Sequence, residues 1–202
     1  MKKIFLCLIP FLFIACASSR FESQFSPVYV TNTSKFAILP PAGMEGSIDK
    51  VQRMTMKFGE QSFDFDVYVI SDPQQLSMTI FNEFGTTMGS LFYDGVQLDF
   101  DSAVFPKNLK SEYIVADFQF CLYKVHELQQ ALSKIGVDFE VSIACKEDGT
   151  SEETRTLSKK GKPISKITKT FAANAPDATE SLKSIQYDNF LRGYSYYLAG
   201  EE

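Results

Sequence analysis

The chain is 202 residues long, with 45% hydrophobic and 22% charged residues, the ordinary mix of one domain able to bury a core. Nineteen Phe and nine Tyr stand against no Trp, and a single histidine, His126, excludes a two-His metal site. A formal net charge of −5 excludes a general basic field for nucleic acid.

The N-terminus reads as an address. Lys2 and Lys3 precede an apolar run from Ile4 to Ile14, then Ala15-Cys16. A basic start before a short apolar stretch marks an export signal over residues 1–15. Its eleven apolar positions fall short of the roughly 20 that a membrane span needs. Phe13-Ile14-Ala15-Cys16 resembles a bacterial lipobox, with Phe13 where Leu is usual. That resemblance implies cleavage before Cys16 and acylation of Cys16. Several acyl chains hold a protein stably at a bilayer. The mature chain would have 187 residues, and loss of Lys2 and Lys3 takes its formal charge from −5 to −7. On that figure the anchor, and not the basic residues of the body, does the membrane work. Ala17 follows Cys16 where an Asp would signal inner-membrane retention, which by analogy with enteric sorting favours the outer membrane, periplasmic side.

Residues 16–34 read as the lipidated N-terminus and a Ser/Thr/Asn-rich tether, and residues 35–202 as a single domain. Phe21, Phe25, Val28, Tyr29 and Val30 leave room for part of this tether to dock as an edge strand. Met54–Phe58 and Phe63–Val69 alternate strictly, apolar on one face and polar on the other, around a loop at Gly59–Ser62. Asp72-Pro73 turns the chain into Leu76–Ile80, and Phe84-Gly85 turns it into Thr86–Tyr93. Asp94-Gly95 suits a type I′ hairpin, with the next strand at Val96–Phe100. Short turns between five strands imply an antiparallel sheet with one apolar face.

After Pro106 the apolar period lengthens to three and four residues through Ile114, Phe118, Leu122, Leu128 and Leu132, and Gly136 supplies a stop. This predicts helix over Ser111–Ile135, broken near Tyr123-Lys124. Strands resume at Phe139–Cys145, Thr154–Ser158, Ile164–Phe171, Leu182–Asp188 and Gly193–Leu198, with Ala172–Thr179 as a polar loop. The fold class is therefore mainly β with helix (α+β), a curved antiparallel sheet or half-barrel covered by one or two helices.

Leu39-Pro40-Pro41-Ala42, Tyr93-Asp94-Gly95 and Ala116-Asp117-Phe118-Gln119, behind a lipobox, are similar to a family of bacterial lipoproteins of unknown function, often found among aryl-polyene genes. The resemblance spans roughly residues 36–198 and implies a LolA/LolB-like fold: an antiparallel half-barrel whose apolar concave face, covered by helices, accepts acyl chains. The chain departs from the family in lacking a proline near the middle of the helical region.

No nucleophile elbow, phosphate loop or dinucleotide fingerprint occurs, so no enzyme and no cofactor is expected. Asp64-x-Asp66 and Asp99-x-Asp101 would each share a strand face, but hard cations want six or more oxygens, and a solvated outer face accounts for both pairs. His126 reads as a surface residue. Cys121 and Cys145 both fall on apolar patterns, as buried thiols facing one core, and sequence leaves open whether they bridge. The apolar strand face is the remaining candidate site: Met54, Met56, Phe58, Phe63, Phe65, Val67, Leu76, Met78, Ile80, Met88 and Phe92. Met and Phe adapt to irregular apolar partners. With the resemblance, the expectation is an outer-membrane lipoprotein that carries or receives an acyl chain, lipid or lipoprotein in an apolar cavity. The alternative is a structural or partner-docking lipoprotein whose core is simply filled.

Overall fold

Period-2 patterning and punctual turn residues produce two five-stranded meanders. A computed structural model describes residues 23–105, 107, 109–173 and 181–200. The signal segment and Cys16 lie outside the described residues, as does most of the Ala172–Thr179 loop. The first meander is β3 (Ile48–Phe58), β4 (Gln61–Ser71), β5 (Leu76–Phe81), β6 (Thr87–Tyr93) and β7 (Leu98–Ser102). The second is β8 (Asp138–Cys145), β9 (Ser151–Lys159), β10 (Lys162–Phe171), β11 (Leu182–Asn189) and β12 (Tyr194–Gly200). Antiparallel pairing of β12 with β3 fuses them into one ten-stranded sheet, ordered β7-β6-β5-β4-β3-β12-β11-β10-β9-β8. The edge strands β7 and β8 do not pair, so the sheet stays open.

The register confirms one shared apolar face. A single row crosses most of the sheet: Arg155, Ile167, Tyr187, Tyr196, Met56 and Phe63 are successive cross-strand partners. Two turns differ from expectation. Between β3 and β4 the loop shrinks to Gly59-Glu60, since Phe58 pairs with Gln61 and Gly59 takes a left-handed φ of +58°. At Asp94-Gly95 the turn is four residues and not type I′. The Asp94 side chain accepts the N–H groups of Val96 (2.8 Å) and Gln97 (2.6 Å), and the strand restarts only at Leu98. The local side-chain bond outcompeted the two-residue hairpin.

The helical segment links the two sheet edges and breaks where expected, into α1 (Ser111–Leu122) and α2 (Val125–Ser133). Neither Pro nor Gly causes the break. Tyr123 leaves the helix to bridge Met44 in extended geometry, and Lys124 N–H donates to Gly43 O at 2.9 Å. α1 crosses the centre of the sheet, where Phe118 stacks on Tyr196 at 5.9 Å; α2 packs on β8.

The N-terminal segment covers the outer side of α1. A two-strand hairpin, β1 (Val28–Tyr29) with β2 (Lys35–Phe36), leads into a strap through residues 37–45. Val28, Val30, Phe36 and Ile38 are buried, and the Phe36 ring meets Phe120 at 5.0 Å. This docking is a separate two-stranded sheet and not an edge strand of the large one. Covered on both sides, α1 buries every residue from Val115 to Leu122, which explains its weak amphipathic signal.

Candidate functional site

Between the sheet and α1 lies an apolar cavity that water-sized spheres enter over about 80 Å³. Met54, Met56 and Met78 form its sheet wall, and Phe105, Leu109, Ile114 and Phe118 its helix-side wall. A second, larger hollow of about 310 Å³ adjoins it, sharing Met56, Phe58 and Phe105 and adding Phe63, Phe65 and Val104. Its rim is aromatic and wet, with Phe58 39% and Phe63 40% exposed.

The structure thus brings Met54, Met56, Phe58, Phe63, Phe65 and Met78 to the cavity and its mouth. Val67, Leu76 and Ile80 share the same face but are fully packed and line neither hollow. Met88 is half-buried at the edge of the core. Phe92 belongs to the opposite face. On β6 the core-facing residues are Gly89, Leu91 and Tyr93, and Phe92 pairs with Ser77 and Asp99 among the outward side chains. A bulge between Ile80 and Phe81 sets that phase, and β6 carries apolar residues at both parities, so alternation alone was ambiguous.

The polar candidates lie elsewhere. Asp64 accepts from the Thr55 hydroxyl at 2.6 Å, Asp66 pairs with Arg53 at 2.8 Å, and Asp99 accepts from Gln97. Among the described residues no cluster of three metal-ligating side chains occurs. His126 is exposed beside Glu127, at 3.3 Å. The two cysteines are free and do not share a core: Cys121 is buried against the Tyr196 hydroxyl at 3.2 Å, whereas Cys145 is exposed. On edge strand β8 the helices cover only the first turns of alternation, leaving Ile143 69% exposed. Burial pushes the Cys121 thiol up to about 12, an inert group at neutral pH.

The family model for a protein of unknown function (DUF3261) matches residues 49–197, from β3 into β12. The chain belongs to the DUF3261 family. No curated protein matches it. The matched span contains both cavity walls and α1, but not the strap that covers α1 from outside.

Two polar clusters in this DUF3261 chain escaped sequence reasoning. The first sits at the inner wall of the cavity, around Asp117 of α1. Tyr187 donates to Asp117 Oδ1 at 2.7 Å and Tyr194 donates to Oδ2, while the Asn189 amide donates to both hydroxyls at 3.2 Å. Both carboxylate oxygens are occupied, so Asp117 fastens the helix to β11 and β12. Burial raises its pKa to about 6, opposed by the two tyrosine hydroxyls and by Arg192. The protonated form is therefore favoured by folding. Stability from this group is fully present near pH 4 and is lost as pH rises through about 6. Relative to Asp117→Asn, the wild-type protein should lose about 2 kcal/mol of unfolding free energy between pH 4 and pH 7. Denaturant titrations of both proteins across that window check the slope; a difference that grows with pH in the wild type's favour would contradict it.

The second cluster lies toward the C-terminal end of α1. Arg155 is fully buried and donates to Glu153 (2.6 Å), Glu45 (2.8 Å) and the Tyr123 carbonyl (2.7 Å). Lys169 meets Glu153 at 2.7 Å and Glu45 at 3.4 Å. Burial works against the charge on Glu153, but Lys169 and Arg155 outweigh it and hold the carboxyl below its ordinary range. The alternation Glu153-x-Arg155 on β9 was the available signal: it puts both charges on one strand face, opposite solvent.

The short shared motifs turn out to meet. The Leu39 carbonyl accepts from Tyr93 (2.8 Å) and Gln119 (2.7 Å), the Tyr123 hydroxyl lies between the Pro40 (2.9 Å) and Leu39 (3.1 Å) carbonyls, and Gln119 Oε1 accepts the Leu39 N–H at 3.0 Å. Gly43 is required there, because a Cβ would fall 2.6 Å from the Tyr123 ring. Leu39-Pro40, Tyr93 and Gln119 are thus one structural node that clamps the strap to α1 and β6.

Proposed function

We propose that this protein binds an acyl chain, as a lipid or lipoprotein carrier or receptor, in the cavity between sheet and α1. The observation that supports this best is the joining of an apolar, methionine-rich cavity to an open hollow rimmed by half-exposed phenylalanines. A largely apolar space with an exposed aromatic mouth suits a flexible hydrocarbon, and methionines adapt to its shape. The open ten-stranded sheet with a helix across one face is compatible with a LolA/LolB-like half-barrel. The lipobox ending at Cys16 supports anchoring at the outer membrane, facing the periplasm.

One observation favours the alternative of a structural or partner-docking lipoprotein: Val67, Leu76 and Ile80, deeper on the same face, are already filled in. The ligand would therefore occupy only the half of the face toward Phe58 and Phe63. Organic extraction and mass spectrometry of the purified protein, beside titration with a fluorescent fatty acid, separates the two. Stoichiometric acyl species and saturable fluorescence support the carrier. Empty protein that also fails to take up the probe would leave the packed structural domain.

A further inference from the structure

The sheet is polar along its strand axis in a way that net charge conceals. The β3–β4, β5–β6, β9–β10 and β11–β12 turns gather at one end, with the connections into α1 and out of α2. The described side chains of segments 57–62, 81–87, 103–112, 133–138, 159–162 and 189–194 at this end include eight Lys or Arg against four Asp or Glu. At the opposite end, segments 44–48, 71–76, 93–98, 122–125 and 145–151 hold Lys124 and Lys146 against Glu45, Asp72, Asp94, Glu147 and Asp148. An acidic chain therefore presents one basic pole.

That pole also collects the exposed phenylalanines. Phe58, Phe63, Phe84 (83% exposed) and Phe190 (53%) are the exposed phenylalanines among the described residues, and all four stand at the basic end, with Leu191 beside Phe190. Phe84 and Phe190 stand in the β5–β6 and β11–β12 turns. The larger hollow opens among Phe58, Phe63 and Phe65 at the same end. Isolated apolar side chains on a surface need no explanation, but phenylalanines concentrated at one basic pole do.

We propose that this pole docks on the surface of an anionic lipid bilayer, with Phe84 and Phe190-Leu191 entering the headgroup layer and the surrounding cations facing lipid phosphates. Charge complementarity selects the bilayer: cations beside apolar tips match an interface that is anionic outside and hydrocarbon beneath. The acidic opposite pole stays turned away. The hollow's mouth would then face the membrane.

The test uses the mature chain, residues 16–202 carrying Cys16→Ser, so that neither export signal nor acyl anchor contributes, in co-sedimentation with phosphatidylcholine vesicles with or without phosphatidylglycerol. Binding should be stronger to the anionic vesicles and weaken at high salt. Phe84→Ser/Phe190→Ser and, separately, Lys57→Glu/Lys162→Glu should each lower partitioning by about tenfold or more. Val96→Ser, at the acidic end, should leave it unchanged. The changed side chains are exposed, so melting temperature should hold and fatty-acid titration should match the parent, which keeps this proposal separable from the cavity reading. Equal binding to both vesicle types would overturn it, as would turn variants that bind like the parent. Concentration-dependent self-association abolished by the phenylalanine changes, without vesicle binding, would instead assign the pole to a second copy of the chain.

Discussion

Replacing Arg155 by methionine should lower the free energy of unfolding by about 3–5 kcal/mol, the cost of breaking a buried ion cluster from one side. The guanidinium has no contact with water and answers four needs at once. It neutralises Glu153 and Glu45 and caps the Phe120 and Tyr123 carbonyls at the end of α1. Without it Lys169 alone faces two carboxylates, and the carbonyls of the broken helix lose their donor. Equilibrium denaturation in urea reads the loss directly. Removing the charges as a set, with Arg155→Met and Glu153→Leu together, should recover part of it, because an apolar replacement leaves fewer uncompensated groups. A single variant within 1 kcal/mol of wild type would mean that solvent reaches this cluster.

Met78→Glu carries the second large effect, and its two readouts divide the functional alternatives. Met78 is 1% exposed, pairs across to Val69 and Leu91, and lines the cavity beneath α1. Met78 pairs with apolar neighbours on the sheet wall, and the cavity's cation, Arg192, already faces Asp117, so a carboxylate there should cost several kcal/mol of stability, a large part of a small domain's total. The loss should shrink on acidification, since protonation removes the buried charge. Thermal melts at two pH values give the first readout. Fatty-acid titration gives the second: fractions that remain folded should have lost uptake. Undiminished uptake by a folded variant would remove Met78 from the ligand path.

Sequence patterning located the strands well because each β pair was bounded by turn chemistry and because strict alternation phased β3, β4 and β5. Met54, Met56 and Met78 were legible for that reason. Phe92 was not, since β6 is apolar at both parities and its phase depends on a bulge that no local residue announces. Asp94-Gly95 was misjudged because the Asx bond to Val96 and Gln97 competes with the hairpin on equal local terms. Alternation puts Cys145 on one face with Val141 and Ile143, but it says which residues share a face, not whether anything covers it. Asp117 and Arg155 stayed hidden for a related reason. Apart from Glu153, two residues from Arg155, their partners sit 32 to 110 residues away, as with Asp117 and Tyr187 or Arg155 and Glu45, and only the folded sheet brings them together. The basic pole vanished into a formal charge of −5, which sums over the surface and discards position.

The clamp on the strap has a mechanical consequence. A tether held at its N-terminal end delivers any pulling force to the strap before it reaches β3. Donors from β6, α1 and the helix break converge on the adjacent Leu39 and Pro40 oxygens, so they bear load in parallel and fail together, where hairpin bonds would peel one by one. Tension is thereby grounded in Tyr93 of β6, Gln119 of α1 and Tyr123 before it can reach β3. A chain pulled from its N-terminus would therefore take the load at this node and not at the first strand of the sheet.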